Sequence, residues 1–102
     1  MPRVKPVVVR TPEALAETLG LSPAEAREWQ VRHALLKRLK EVVQKGRLTH
    51  ATVAERAGTS RTRVTAILND RLENVSSDLL IRILGSLGYR VRVTVSRIDT
   101  AA

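Results

Sequence analysis

Within RAGTSRTRVTAIL, the stretch from Arg56 to Leu68, the side chains Arg61, Thr62, Arg63, Thr65 and Ala66, with Asn69 just beyond, are short, basic or amide-bearing. Residues of those types can read or grip a nucleic-acid duplex. Arginine reaches guanine with two hydrogen bonds, the threonine methyl and alanine pack on a thymine methyl, and amide or hydroxyl groups hold phosphate or base edges. Ser60 stands just before them as a helix N-cap and joins the set of candidate DNA-binding residues. Arg61 and Arg63 then fall in a first helical turn, where each opposes the helix dipole by about 0.3 to 1 kcal/mol at an exposed site. Phosphates and guanine edges would offset that penalty, so the placement points to an anionic partner.

Other chemistries are poorly served. The chain has no cysteine, which excludes disulfides, thiolate metal sites and cysteine nucleophiles. Its two histidines, His33 and His50, are too few for a convincing metal site. Ser60 with Thr59, and Ser76 with Ser77, read as helix caps, since no histidine and carboxylate pattern near them suggests a triad. Glu13 and Glu17 share a helix surface without an acid/base partner, and no glycine-rich loop has phosphate-cradling spacing. No enzymatic activity and no cofactor are expected.

The elements that must position the basic set can be read from caps and periodicity. VVVR, Val7 to Arg10, follows Pro6 and reads as an extended arm or short strand. Thr11 then caps a short helix with Pro12 at its first position, ending near Leu19 before Gly20. Ser22, Pro23 and Glu25 form a capping-box signature opening a long helix to about Lys45, with Trp29, Leu35, Leu36, Leu39, Val42 and Val43 on its apolar side and Gly46 at its end. Trp29 is expected in the core, and His33 at the surface or boundary.

Thr49 caps a short helix whose stripe runs from Leu48 through Val53 to Ala57, with Gly58 as the turn residue. Ser60 caps the next, with Val64, Ile67 and Leu68 inward, and Asn69 to Asn74 reads as a polar loop. Ser76 or Ser77 caps a last helix carrying Leu79, Leu80, Ile83, Leu84 and Leu87 and closed by Gly88. Gly85 inside it costs about 1 kcal/mol against alanine, which suggests a close helix contact. YRVRVTVSR switches to period two and predicts a C-terminal strand over 89–97, with Val91, Val93 and Val95 on one side. A lone strand needs a partner, either the Val7 to Val9 arm or its own copy in a second chain, so these valines are candidate dimerisation residues.

Arg63 has an alternative role, an ion pair with Asp70 or Glu73 worth about 0 to 1 kcal/mol at a surface. Arg56 alternates with Glu55 and serves solubility.

Composition agrees with a small basic domain. The 102 residues suffice for one core, and 18 lysines and arginines against 10 acids leave a net charge of +8. With no phenylalanine, one tryptophan and one tyrosine, the chain is poorly equipped to stack bases on aromatics. No apolar run approaches the roughly 20 residues of a membrane span, and a cytoplasmic protein without a membrane partner is expected.

The segment LTHATVAERAGTSRTRVTAILND resembles the DNA-binding core of XRE-type, lambda-repressor-like helix-turn-helix regulators. Together with the long preceding helix and SSDLLIRILGSLGYRVRVTV, the chain from about Pro12 to Val95 is similar to the compact HigA-like branch, many of whose members are antitoxins. The resemblance implies a five-helix fold; with the arm and strand read from the pattern, the expected class is mainly α, five helices with a short N-terminal extended arm and a C-terminal β-strand, in a single domain over 1–102. The resemblance also implies a homodimer binding a palindromic operator in double-stranded DNA, and a RelE/HigB-like RNase toxin as partner. Arg61 and Thr62 fall on the family's main base-reading positions, Thr65 and Ala66 on secondary ones, and Arg63 and Asn69 on positions that often touch the backbone. His50 stands where the family usually has a phosphate-contacting glutamine. The expected function is transcriptional repression by an antitoxin that autoregulates its operon. The alternatives are a stand-alone regulator and a nonspecific nucleic-acid-binding protein.

Overall fold

Local caps set the start of each described helix. The computed structural model describes residues 20–98, and among them the chain forms α1 (Pro23–Lys45), α2 (His50–Ala57), α3 (Arg61–Leu68) and α4 (Ser77–Ser86). At α1 the capping box is complete: the Ser22 N–H donates to Glu25 Oε2 at 2.8 Å, and the Glu25 N–H donates to Ser22 Oγ at 3.2 Å. The backbone bond from Ser22, and then the bond to its hydroxyl, hold the Glu25 carboxyl below the usual carboxylate range. Thr49, Ser60 and Ser76 cap the others, each hydroxyl accepting from the N–H three residues on at 3.0 to 3.1 Å.

Helix ends are closed by left-handed residues. After α2, Gly58 takes φ +69, and Thr59 N–H returns to Ala54 O at 3.0 Å. After α3 the left-handed residue is Asp70 at φ +66, with Arg71 N–H bonded to Ala66 O at 3.0 Å and Asp70 N–H to Ile67 O at 3.0 Å. Lys40 on α1 clasps the Asp70 carboxylate at 2.7 Å, anchoring this turn to the long helix. After α1 it is Arg47, at φ +50, that is left-handed, while Gly46 remains right-handed.

One core joins the helices. Leu36, Leu39, Val42 and Val43 of α1 pack with Val53 and Ala54 of α2, Val64 and Ile67 of α3, and Leu80, Ile83 and Leu84 of α4. Leu72, in the segment expected to be a polar loop, and Val75 just after it are also buried in it. Trp29 is half-buried and lies outside this core, packing on Ala26 beside Leu21 and stacking on His33 with ring centroids 3.7 Å apart. Burial pushes the His33 imidazole below its ordinary value, with Asp70 opposing the shift and Arg32 and Lys40 adding to it.

The expected fold class needs correction. The described residues hold four helices rather than five, and no strand. The helix expected from Pro12 to Leu19 and the Val7 to Val9 arm lie outside the described residues. Residues 89–98 contain no strand: Val91 rests half-buried against the core, whereas Val93 and Val95 are 77% and 90% exposed. Period-two patterning creates a strand only when a neighbour completes the backbone ladder, and the described residues supply none. Gly85 is corrected as well, because a Cβ built there meets nothing within 4 Å.

Candidate nucleic-acid interface

The α2 and α3 helices pack directly on one another, with Val53 and Ala54 of the first and Val64 and Ile67 of the second buried. Burying Val64 and Ile67 turns the rest of α3 outward. Arg61, Thr62 and Arg63 are exposed, Thr65 and Ala66 are half-buried, and Asn69, the C-cap, is exposed. Arg61, Thr62, Thr65, Ala66 and Asn69 line a single open depression of about 470 Å³. This shallow surface suits a broad ligand that lies across it.

The remaining predicted residues have separate positions. Ser60 is exposed, and its hydroxyl caps α3 by accepting the Arg63 N–H at 3.0 Å. Arg63 extends away from the depression, its Nη2 donating to the Asn74 carbonyl at 3.0 Å. The alternative ion pairs of Arg63 do not form, since Asp70 is held by Lys40 and the ion pairs among the described residues include none with Glu73. His50 opens α2 half-buried, with its Nδ1 2.7 Å from the hydroxyl oxygen of Thr65. That bond links the start of α2 to the middle of α3.

A family model described as a helix-turn-helix domain matches residues 18–96, most of the chain. The chain belongs to this helix-turn-helix family. Among solved structures, the helix-turn-helix protein is similar to one named "Putative XRE Family Transcriptional Regulator", with a TM-score of 0.68 and 28% identity, covering 76% of this chain and 88% of that one. No curated protein matches it.

One basic residue of this helix-turn-helix unit escapes sequence reasoning. Arg71 is exposed and lines the same depression as Arg61 and Asn69, because the left-handed turn at Asp70 folds the chain back beside α3. The signal that could have found it is the polar pair Asn69 and Asp70 at a helix end, since both residue types tolerate the left-handed conformation that reverses the chain. Among the described residues, no helix is long and apolar enough to cross a membrane.

Proposed function

We propose that this helix-turn-helix protein is a sequence-specific DNA-binding transcriptional regulator that acts in the cytoplasm as a dimeric repressor. The observation that carries the reading is the outward face of α3, where Arg61, Thr62, Thr65, Ala66 and Asn69 share one open surface. A recognition helix entering the major groove presents its N-terminal residues to base edges, so Arg61 and Thr62 read bases. Arg61 is matched to guanine, Ala66 and the threonine methyls to thymine, and Asn69 to the backbone. The net charge of +8 supports association with the duplex as a whole.

A second copy of the chain is the partner that places two such helices in successive major grooves about 34 Å apart on a palindromic operator. Support for it comes from the exposed Val93 and Val95, and from a groove of about 310 Å³ whose apolar lining is Val31, Ala34, Leu35, Ile81, Val91 and Val93. Apolar surface that the described residues leave open in this way is covered in a two-fold pair, with Val91, Val93 and Val95 at the contact.

The chain's similarity to the HigA-like branch extends the proposal to an antitoxin that binds a RelE/HigB-like RNase toxin and represses its own operon. Co-purification with the product of a small adjacent reading frame tests that extension. Co-expression should abolish the growth arrest caused by that product, and failure of both assays removes the antitoxin role while leaving the regulator intact.

Selection of bound duplexes from a random DNA pool, repeated at two salt concentrations, tests the DNA reading. A palindromic consensus that persists at higher salt is expected. Arg61→Ala should relax preference at one position of each half-site and cost about 1 to 3 kcal/mol. Binding without sequence preference at physiological salt would return the protein to the class of nonspecific nucleic-acid binders.

A further inference from the structure

The bond between His50 and Thr65 couples the start of α2 to the middle of the reading face. A threonine hydroxyl has one hydrogen to donate and two lone pairs, and its rotor turns to suit whichever partner is present. Left free, such a group discriminates poorly, since it can donate to guanine or thymine and accept from the amino groups of adenine or cytosine. The ring nitrogen at 2.7 Å removes part of that freedom. If Nδ1 accepts, the hydroxyl hydrogen is used on the ring and Thr65 offers DNA lone pairs alone. If Nδ1 donates, the hydrogen remains free to point outward.

We propose that His50 is a positioning residue for sequence reading: it orients the Thr65 hydroxyl and thereby sets base preference at the pair Thr65 meets. This rests on the DNA-binding reading of α3 and refines it. It assigns His50 an action through a protein neighbour, in place of the phosphate contact expected from its place in the chain. The surroundings favour such a role. The ring is half-buried, and the ion pairs among the described residues are Glu28 with Arg32, Arg38 with Glu41 and Lys40 with Asp70, so none of those carboxylates competes for it. Thr65 is half-buried as well and lines the depression shared with Arg61 and Asn69, so the residue that the ring holds is itself part of the outward face.

The test uses the full chain and duplexes selected from a random pool, comparing wild type with His50→Ala, Thr65→Val and His50→Asn. Asparagine places an amide atom close to where Nδ1 stands. His50→Ala and Thr65→Val should flatten the same position of the consensus, reducing discrimination there by about five- to tenfold, the low end of what a base contact supplies. Other positions and the salt dependence of affinity should stay unchanged, and His50→Asn should restore the preference. A phosphate contact predicts something different: uniform loss across sequences and a salt slope reduced by about one. That result, or a consensus that His50→Ala leaves intact, overturns the inference alone. If wild type itself selects no consensus, the DNA reading fails and takes the inference with it.

Discussion

Arg61 and Arg63 stand two residues apart on α3 and differ in what their guanidinium groups already hold. Arg63 donates to the Asn74 carbonyl and so braces the segment after α3, whereas Arg61 lines the open depression. Arg63→Ala is therefore expected to lower stability by about 0.5 to 1.5 kcal/mol while leaving base preference unchanged, as urea denaturation and duplex selection would measure. Arg71→Ala should do the reverse: uniform weakening across sequences and a salt slope reduced by about one, read from binding isotherms at several ionic strengths, with unfolding unaffected. The outward residues of α3 were legible in the sequence because Val64 and Ile67 fix which side is buried. The tether of Arg63 was not, because it depends on where the backbone of Asn74, itself left-handed at φ +60, returns to the helix.

The pattern of helices was legible from caps. Ser22, Thr49, Ser60 and Ser76 all act as N-caps, and short-range hydrogen bonding needs no knowledge of tertiary structure. What escaped depended on partners distant in sequence. Leu72 and Val75 are buried because the loop after α3 crosses the core, which the polar residues around them conceal. Trp29 lies outside the main core, in a small separate cluster with Ala26 and Leu21, which helical periodicity alone does not distinguish from core. Glycines likewise divide by role. Gly58→Ala forces a side chain into the left-handed region at φ +69 and should cost about 1 to 2 kcal/mol in thermal or denaturant melts, although no atom blocks the methyl. Gly85→Ala places a methyl in open space within a regular helix and should gain about 1 kcal/mol in the same measurement.

For the whole molecule, charge and association set the expectations. His33 favours its neutral form in the fold, so its contribution to stability is complete above the ordinary imidazole range and declines as pH falls through it. Glu25 favours its charged form, and its contribution is lost at lower pH, as the carboxyl protonates. Melting temperature should consequently fall as pH drops through the imidazole range, and His33→Asn should lessen that fall. Truncation after Val91, which spares the one tail valine resting on the core, should leave the domain folded but shift it to monomers in sedimentation, with operator binding much weakened. A truncated chain that remains dimeric moves the interface to another surface. The alternation of valines predicts a strand that the described residues do not form, because a strand depends on a backbone neighbour that the alternation alone does not identify.

The uneven coupling of α3 side chains to the rest of the protein has a consequence for retargeting. Arg61 and Thr62 are exposed, so if they read bases as proposed, each can be exchanged singly to seek a new operator with the fold left undisturbed. Thr65 cannot be treated that way, because its hydroxyl is shared with His50 on a different helix. Libraries that vary α3 by itself will therefore sample Thr65 poorly, and productive changes at that position should arise as joint exchanges of residues 50 and 65.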